Sequence, residues 1–169
     1  GAAVGPEGTI YAAGTEGLIA VSESGDVIWV VPLPLYGIPA IADDGTLYLG
    51  GQQGLTTMDP RGSILWTLPI EGVNAPPSIG SDGTVYLATR TAMLYAIEST
   101  GHESWSFTTG AQTCANRASP AVGLDGTIYF ACDRELHALT PAGLHRWQFN
   151  APGVLRAPSI GADGSIYVG

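Results

Sequence analysis

Lysine is absent from this 169-residue chain; its whole basic complement is six arginines, set against 15 acidic side chains for a formal charge of −9. Phosphate binding rests on clustered Lys and Arg, so no nucleic-acid partner is expected, nor is electrostatic docking on an anionic membrane. Charge of either sign is scarce, at 12% of residues, while apolar residues reach 45%, a balance that excludes intrinsic disorder and lets the chain bury a core. No apolar run approaches the ~20 residues of a helical membrane span. No stretch has the 3.6-residue period of an amphipathic helix, and without a helix there is no strand-to-helix cradle for phosphate. The histidines, His102, His137 and His145, fall at unrelated strand or turn positions with no ligand spacing, and read as ordinary strand residues.

What is abundant is punctuation. The 24 glycines and 12 prolines recur at set positions instead of clustering, so they read as turns, with no linker and no second domain. An acidic residue, Gly, Thr or Ser, an aliphatic residue and Tyr occur together five times, at 7–11, 44–48, 82–86, 125–129 and 163–167, with spacings of 37, 38, 43 and 38 residues. That is a repeat period of the kind that builds propellers and solenoids. In the turn, Asp bonds the backbone ahead of it and Gly accepts the positive φ of a tight hairpin. The apolar pattern between turns has period two, so each unit reads as short antiparallel strands, in the second unit 38–42, 46–50, 55–58 and 63–68. Four tryptophans, Trp29, Trp66, Trp105 and Trp147, occupy one repeat position each, four residues after Gly25, Gly62, Gly101 and Gly143. Gly1 is not a methionine and falls inside the repeat pattern, so the natural protein is expected to extend upstream.

These residues resemble the blade of the pyrroloquinoline-quinone-type (PQQ-like) β-propeller family, whose outer strand carries an Ala-x-Asp motif followed by Gly-x-x-x-Trp. The motif stands here as Ala20, Gly25 and Trp29; Met58-Asp59-Pro60-Arg61-Gly62 and Trp66; Ala96, Gly101 and Trp105; and Ala138, Gly143 and Trp147. Inner strands of the Ser-Pro-Ala-Val type are matched by Pro39-Ala40-Ile41, Pro77-Ser78-Ile79, Ser119-Pro120-Ala121-Val122 and Pro158-Ser159-Ile160. The resemblance implies an all-β fold, a β-propeller of four-stranded antiparallel blades. About four and a half are expected, at approximately 1–37, 38–75, 76–117 and 118–156 with a partial blade at 157–169. The tryptophans are then blade-docking residues. A family ring has about eight blades, so the chain is read either as a segment of a longer propeller or as half of a ring that a homodimer completes.

The family's redox enzymes hold a quinone with a calcium ion, but their adjacent cysteine pair and catalytic carboxylate find no match here. The docking motif is also a residue shorter than theirs. It resembles the non-enzymatic branch that includes the propeller lipoprotein of the outer-membrane barrel-assembly machinery and the sensor propellers of some receptor kinases. That branch binds proteins and holds no cofactor. No catalytic, cofactor-binding or metal residue is assigned; Asp43-Asp44 and Asp133 read as turn carboxylates rather than calcium ligands.

Recognition is sought where the repeat fails. Tyr36, Asn74, Arg90, Asn116, Arg117, Arg134 and Arg156 all fall on connections at one face of the blades, as a mildly basic mouth or as ordinary solvated loop residues. Cys114 lies in the longest connection and Cys132 just past strand 127–131, where folding the hairpin at Asp125-Gly126 sets 118 opposite about 132. A disulfide pinning the insertion would imply an oxidising compartment; two buried thiols acting as small apolar residues is the alternative. The outer strands also differ: Val27-Ile28-Trp29-Val30-Val31 and Ile64-Leu65-Trp66 are apolar, whereas Glu103-Ser104-Trp105 and His145-Arg146-Trp147 are polar. Exposed edges are normally protected by charge or covered, so the first two blades are expected to be covered by a partner or by another part of the chain. The leading expectation is a non-catalytic, extracytoplasmic protein-interaction scaffold that contacts a protein partner or the remaining blades. The alternatives are part of a quinone-dependent dehydrogenase and the ligand-sensing domain of a receptor.

Overall fold

The computed structural model describes residues 1–14, 16–115 and 117–169. They form strands and turns with no helix. The first sheet is β1 (Ala2–Val4), β2 (Ile10–Gly14), β3 (Gly17–Val21) and β4 (Val27–Val31), and the second is β5 (Ala40–Ile41), β6 (Leu47–Gly51), β7 (Gly54–Met58) and β8 (Ile64–Leu68). The third is β9 (Ser78–Ile79), β10 (Val85–Ala88), β11 (Met93–Ile97) and β12 (Glu103–Thr108), and the fourth is β13 (Ala121–Val122), β14 (Ile128–Cys132), β15 (Glu135–Leu139) and β16 (His145–Asn150). A two-stranded sheet of β17 (Ser159–Ile160) and β18 (Ile166–Tyr167) follows. Every sheet is an antiparallel meander in sequence order. This is the blade of a β-propeller. The chain divides into two compact units, Gly1–Pro77 with the first two blades and Ser78–Gly169 with the rest.

The acidic-Gly turns make the hairpins for the reason their sequence suggests. Gly45, Gly83, Gly126 and Gly164 sit at φ between +77° and +84°, a region open to glycine at little cost. The carboxylates of Asp44, Asp82, Asp125 and Asp163 each accept the amide two residues on at 2.9–3.0 Å, fixing the entry to the second strand. Glu7, one methylene longer, makes no such bond among the described residues.

Within each unit the blades pack through the tryptophans. In Gly1–Pro77 the Trp29 indole lies against Tyr11 at 5.8 Å between ring centres, and its Nε1 donates to the Pro60 carbonyl of the next blade at 3.0 Å. A side chain at Gly62 would meet the same ring at 2.9 Å, which is why glycine stands there. Tyr11, Leu18 and Ala20 of the first blade close on Leu47, Leu49 and Met58 of the second to make this unit's core. In Ser78–Gly169 the same design recurs with Trp105, Tyr86, Pro141 and Gly143, over a core of Leu94, Ala96, Ile128, Phe130 and Leu139. Ala131, Leu136 and Leu155 pack the fourth blade onto Ile166 and Val168 of the two-stranded sheet.

A β-bulge falls at one repeat position in all four blades, between Ala20 and Val21, Thr57 and Met58, Ala96 and Ile97, and Ala138 and Leu139. It sets the small residue opposite the tryptophan: Ala20 faces Trp29, Ala96 faces Trp105 and Ala138 faces Trp147. In the second blade the residue facing Trp66 is Thr57, so the docking motif there begins at Thr57 and not at Met58. Its hydroxyl is buried and has no hydrogen-bond partner among the described residues. An orphaned buried hydroxyl costs about 1–3 kcal/mol. Thr57→Val keeps the shape and removes the orphan, and is expected to raise the urea-unfolding free energy by about 1 kcal/mol. A destabilised variant would mean that the hydroxyl has a partner.

Candidate functional site

In Ser78–Gly169 the Asp-Gly turns lie at one end of the blades, and the other end carries four segments that break the repeat. They are the β10–β11 turn with Arg90, the β12–β13 connection with Arg117, the β14–β15 turn with Arg134 and the β16–β17 connection with Arg156. Backbone bonds stitch them together. The Cys114 amide donates to the Arg90 carbonyl at 2.8 Å, Ala151 to Arg134 at 2.7 Å, Leu155 to Asp133 at 2.6 Å and Arg156 to Gly169 at 2.8 Å. The Asp133 carboxylate accepts the Ala115 amide at 2.9 Å. Cys114 and Cys132 are joined by a disulfide, with Cα atoms 5.0 Å apart, so the long connection is covalently tied to the end of β14. Buried Cys114, Ala118 and Leu155 anchor these segments from beneath.

The backbone at this end is also the least relaxed. Ala92, Arg117 and Asp133 are the non-glycine residues with positive φ among those described, at +60°, +51° and +50°. L-residues enter that region at a cost and stay there only where surroundings over-determine them. The stitching bonds around Asp133 do so.

All four guanidinium groups are exposed, and none has a hydrogen-bond or ion-pair partner among the described residues. Arg146, at the opposite end, shows what a satisfied arginine looks like here: it donates to the Thr127 hydroxyl at 2.8 Å and lies 3.6 Å from the Asp125 carboxylate. The acidic groups near the four arginines are already engaged, Asp133 with Ala115 and Glu135 with His137. The opposite end carries Asp82, Asp125 and Asp163, and donation from Thr127 and Ser165 holds the carboxyls of Asp125 and Asp163 below the ordinary range. This unit therefore has a cationic end whose charges face solvent unpaired and an anionic end built of turns.

Tyr36 and Asn74 belong to the other unit. Tyr36 is exposed, with its amide bonded to the Gly50 carbonyl at 2.8 Å, and Asn74 is half-buried in the connection that follows β8. Asn116 lies outside the described residues. Trp29, Trp66, Trp105 and Trp147 each pack on the tyrosine of their own blade.

One cluster escaped sequence reasoning. His137, buried on β15, has its Nδ1 3.3 Å from Nε2 of His145 and its Nε2 3.3 Å from the Glu135 carboxylate. The Phe107 ring stacks on His145 at 5.5 Å and meets His137 edge-on. Glu135 and His137, two apart on one strand, share a face, but His145 reaches them only because of the bulge between Ala138 and Leu139. Burial holds the His137 imidazole below its ordinary value, against the pull of Glu135. At a pH well above about 6.5 the ring is neutral in folded and unfolded chains alike. As the pH falls below that, the unfolded chain takes the proton first, so stability drops until the lower folded value is passed. The urea midpoint is expected to fall between about pH 7.5 and 5.5, and His137→Gln to remove most of that fall. An equal fall in the variant would assign it to other groups.

Among the described residues no three His, Cys, Asp or Glu groups are placed to hold a metal ion. Asp44 accepts the Thr46 amide within its own turn, whereas Asp133 accepts the Ala115 amide of the β12–β13 connection, 18 residues away, and so ties two loops together. The quinone and calcium site of the redox propellers is not fitted by these residues: the two cysteines are 18 apart in sequence and bonded across a loop, not adjacent.

The family model described as outer membrane protein assembly factor BamB matches residues 4–157. BamB from Moraxella catarrhalis superposes with a TM-score of 0.80 at 21% identity, over 99% of this chain and 57% of that one. A protein of unknown function from Bacteroides caccae superposes with a TM-score of 0.69 at 14% identity, over 94% of this chain and 63% of that one. The chain thus spans less than two thirds of either structure, and at these identities the likeness concerns the fold. No curated protein matches the chain.

Proposed function

The chain belongs to the β-propeller family of the outer membrane protein assembly factor BamB, and from this we propose that it is a non-catalytic protein-interaction scaffold working outside the cytoplasm. The observation that carries the reading is the set of four exposed, unpartnered arginines on stitched loops at one end of Ser78–Gly169. Arginines held there at no cost in desolvation suit an acidic segment of a partner protein. Such rim charges steer encounter and fix register, and they act through the association rate and its salt dependence more than through raw affinity. The rigid blade stack keeps the loops pre-organised, which lowers the entropy lost on binding. The Cys114–Cys132 disulfide supports an oxidising compartment. No helix among the described residues is long and apolar enough to cross a membrane. A part in outer-membrane protein assembly, the process for which the family's assembly factor is named, belongs to the same proposal.

The test is site-specific photo-cross-linking in cells from position 134 or 156, with position 163 at the opposite end as the control. Discrete protein adducts are expected from 134 and 156 and none from 163. No adduct, or the same adducts from all three positions, overturns the assignment of this end. Pyrroloquinoline quinone and calcium are expected to leave dye-linked alcohol and sugar oxidation at background; oxidation above it would place the chain among the dehydrogenases.

A further inference from the structure

Arg146 contacts Asp125 and Thr127 from the position just before Trp147. The corresponding residue of the second blade, just before Trp66, is Leu65, and the acidic group corresponding to Asp125 is Asp44. Asp44 therefore keeps its turn bond to Thr46 but has no cationic partner among the described residues. The residue beside it, Asp43, stands where the fourth blade has Leu124, and Asp59 where it has Thr140. These substitutions converge on one place. Asp43, Asp44, Asp59 and Glu7 line a cavity of about 710 Å³ between the two blades of Gly1–Pro77, walled by Ile28 and Trp29. Arg61, the single base of this unit, also lines it.

The same rim is apolar where the other unit's is polar. Val27, Ile28, Ile64 and Leu65 are each more than half exposed. Their counterparts are not idle: Ser104 donates to the Glu98 carboxylate at 3.1 Å, His145 joins His137, and Arg146 joins Asp125. β4, which carries Val27 and Ile28, is an edge strand, paired with β3 on one side only. An aliphatic edge without a charge on it is what proteins ordinarily avoid leaving bare.

We propose that the rim of Gly1–Pro77 docks an extended segment of a partner protein in which aliphatic residues alternate with Lys or Arg. The segment adds along the free edge of β4, its aliphatic side chains cover Val27 and Ile28, and a cationic side chain enters the cavity between Glu7, Asp43 and Asp59 beneath the Trp29 indole. The partner's cation does in this unit what Arg146 does in the other. Charge complementarity selects this occupant: Gly1–Pro77 carries eight acidic side chains and Arg61 alone. A strand's period of two places one face on the apolar edge and sends the other toward the acids. The proposal goes beyond the arginine-bearing surface and concerns the other unit, so each can fail without the other.

The probe is a blocked ten-residue peptide of alternating valine and arginine, titrated into the isotope-labelled full chain and followed by two-dimensional NMR. Alternating serine–arginine and valine–glutamate peptides serve as controls. Shifts are expected at residues 27–31 and at the Trp29 indole, with at least tenfold weaker binding by both controls. Glu7→Gln with Asp43→Asn, neither of which holds a turn bond, is expected to weaken the valine–arginine peptide at least tenfold, and Ile28→Ser with Leu65→Ser to do the same. Absence of binding, equal binding of either control, unchanged binding by both double variants, or shifts confined to Ser78–Gly169 overturns the proposal.

Discussion

Trp105→Ala is expected to lower the unfolding free energy by about 3 kcal/mol, near the bottom of the range for removing a large aromatic because the indole keeps some exposure. The loss has three sources in the fold. The ring sits 5.9 Å from that of Tyr86, its Nε1 donates to the Pro141 carbonyl at 2.9 Å, and Gly143 is so close that a Cβ there would lie 2.6 Å from the indole. Truncation opens a cavity and leaves a carbonyl of the next blade without its donor, so the contact between the third and fourth blades fails as well as the local packing. Trp147 is the internal control. It has the same neighbour, Tyr129, but is 41% exposed, and its indole nitrogen has no acceptor among the described residues. Trp147→Ala is therefore expected to cost less by at least about 1 kcal/mol. Equal losses in urea unfolding would show that the tryptophans act within their own blades only.

That contrast marks what one chain of letters can carry. The turn acids and their glycines were legible because each acts within a few residues, and the tryptophans because repetition separates signal from composition. Asp44, Asp82, Asp125 and Asp163 bond the amide two residues on, and no long-range fact is needed to expect it. What crosses strands was harder. The bulge that sets Thr57 rather than Met58 against Trp66 shifts register by one residue, and a one-residue shift moves a side chain to the other face. The same bulge type brings His145 to His137, which no spacing in the sequence announces. The arginines drew notice in the sequence because they break the repeat. Four of them fall on loops of Ser78–Gly169, whereas Tyr36 and Asn74 belong to Gly1–Pro77.

Replacing both cysteines by alanine is expected to lower the unfolding free energy by about 3 kcal/mol, the chain-entropy value for a loop of this length. The disulfide spans 18 residues and closes the part of the β12–β13 connection that follows Cys114 together with the β13–β14 hairpin. The folded state keeps most of its order without it, because the Cys114 amide still donates to Arg90, Ala115 to the Asp133 carboxylate and Leu155 to the Asp133 carbonyl. The loss therefore falls on the unfolded chain, which regains the freedom the bond removed. Reduction of the natural chain with dithiothreitol, which leaves both sulfurs in place, is expected to cost the same within about 1 kcal/mol, since alanine also gives up some buried volume. A much smaller loss on reduction than on substitution would assign the effect to packing of the sulfurs in the core with Ala92 and Phe130. Because a domain of this size is stable by only about 5–15 kcal/mol, the reduced chain gives up a large share of its margin. The arginine-bearing loops are the segments the bond ties down, so amide exchange across 109–120 is expected to rise on reduction more than across the Asp-Gly turns at the opposite end.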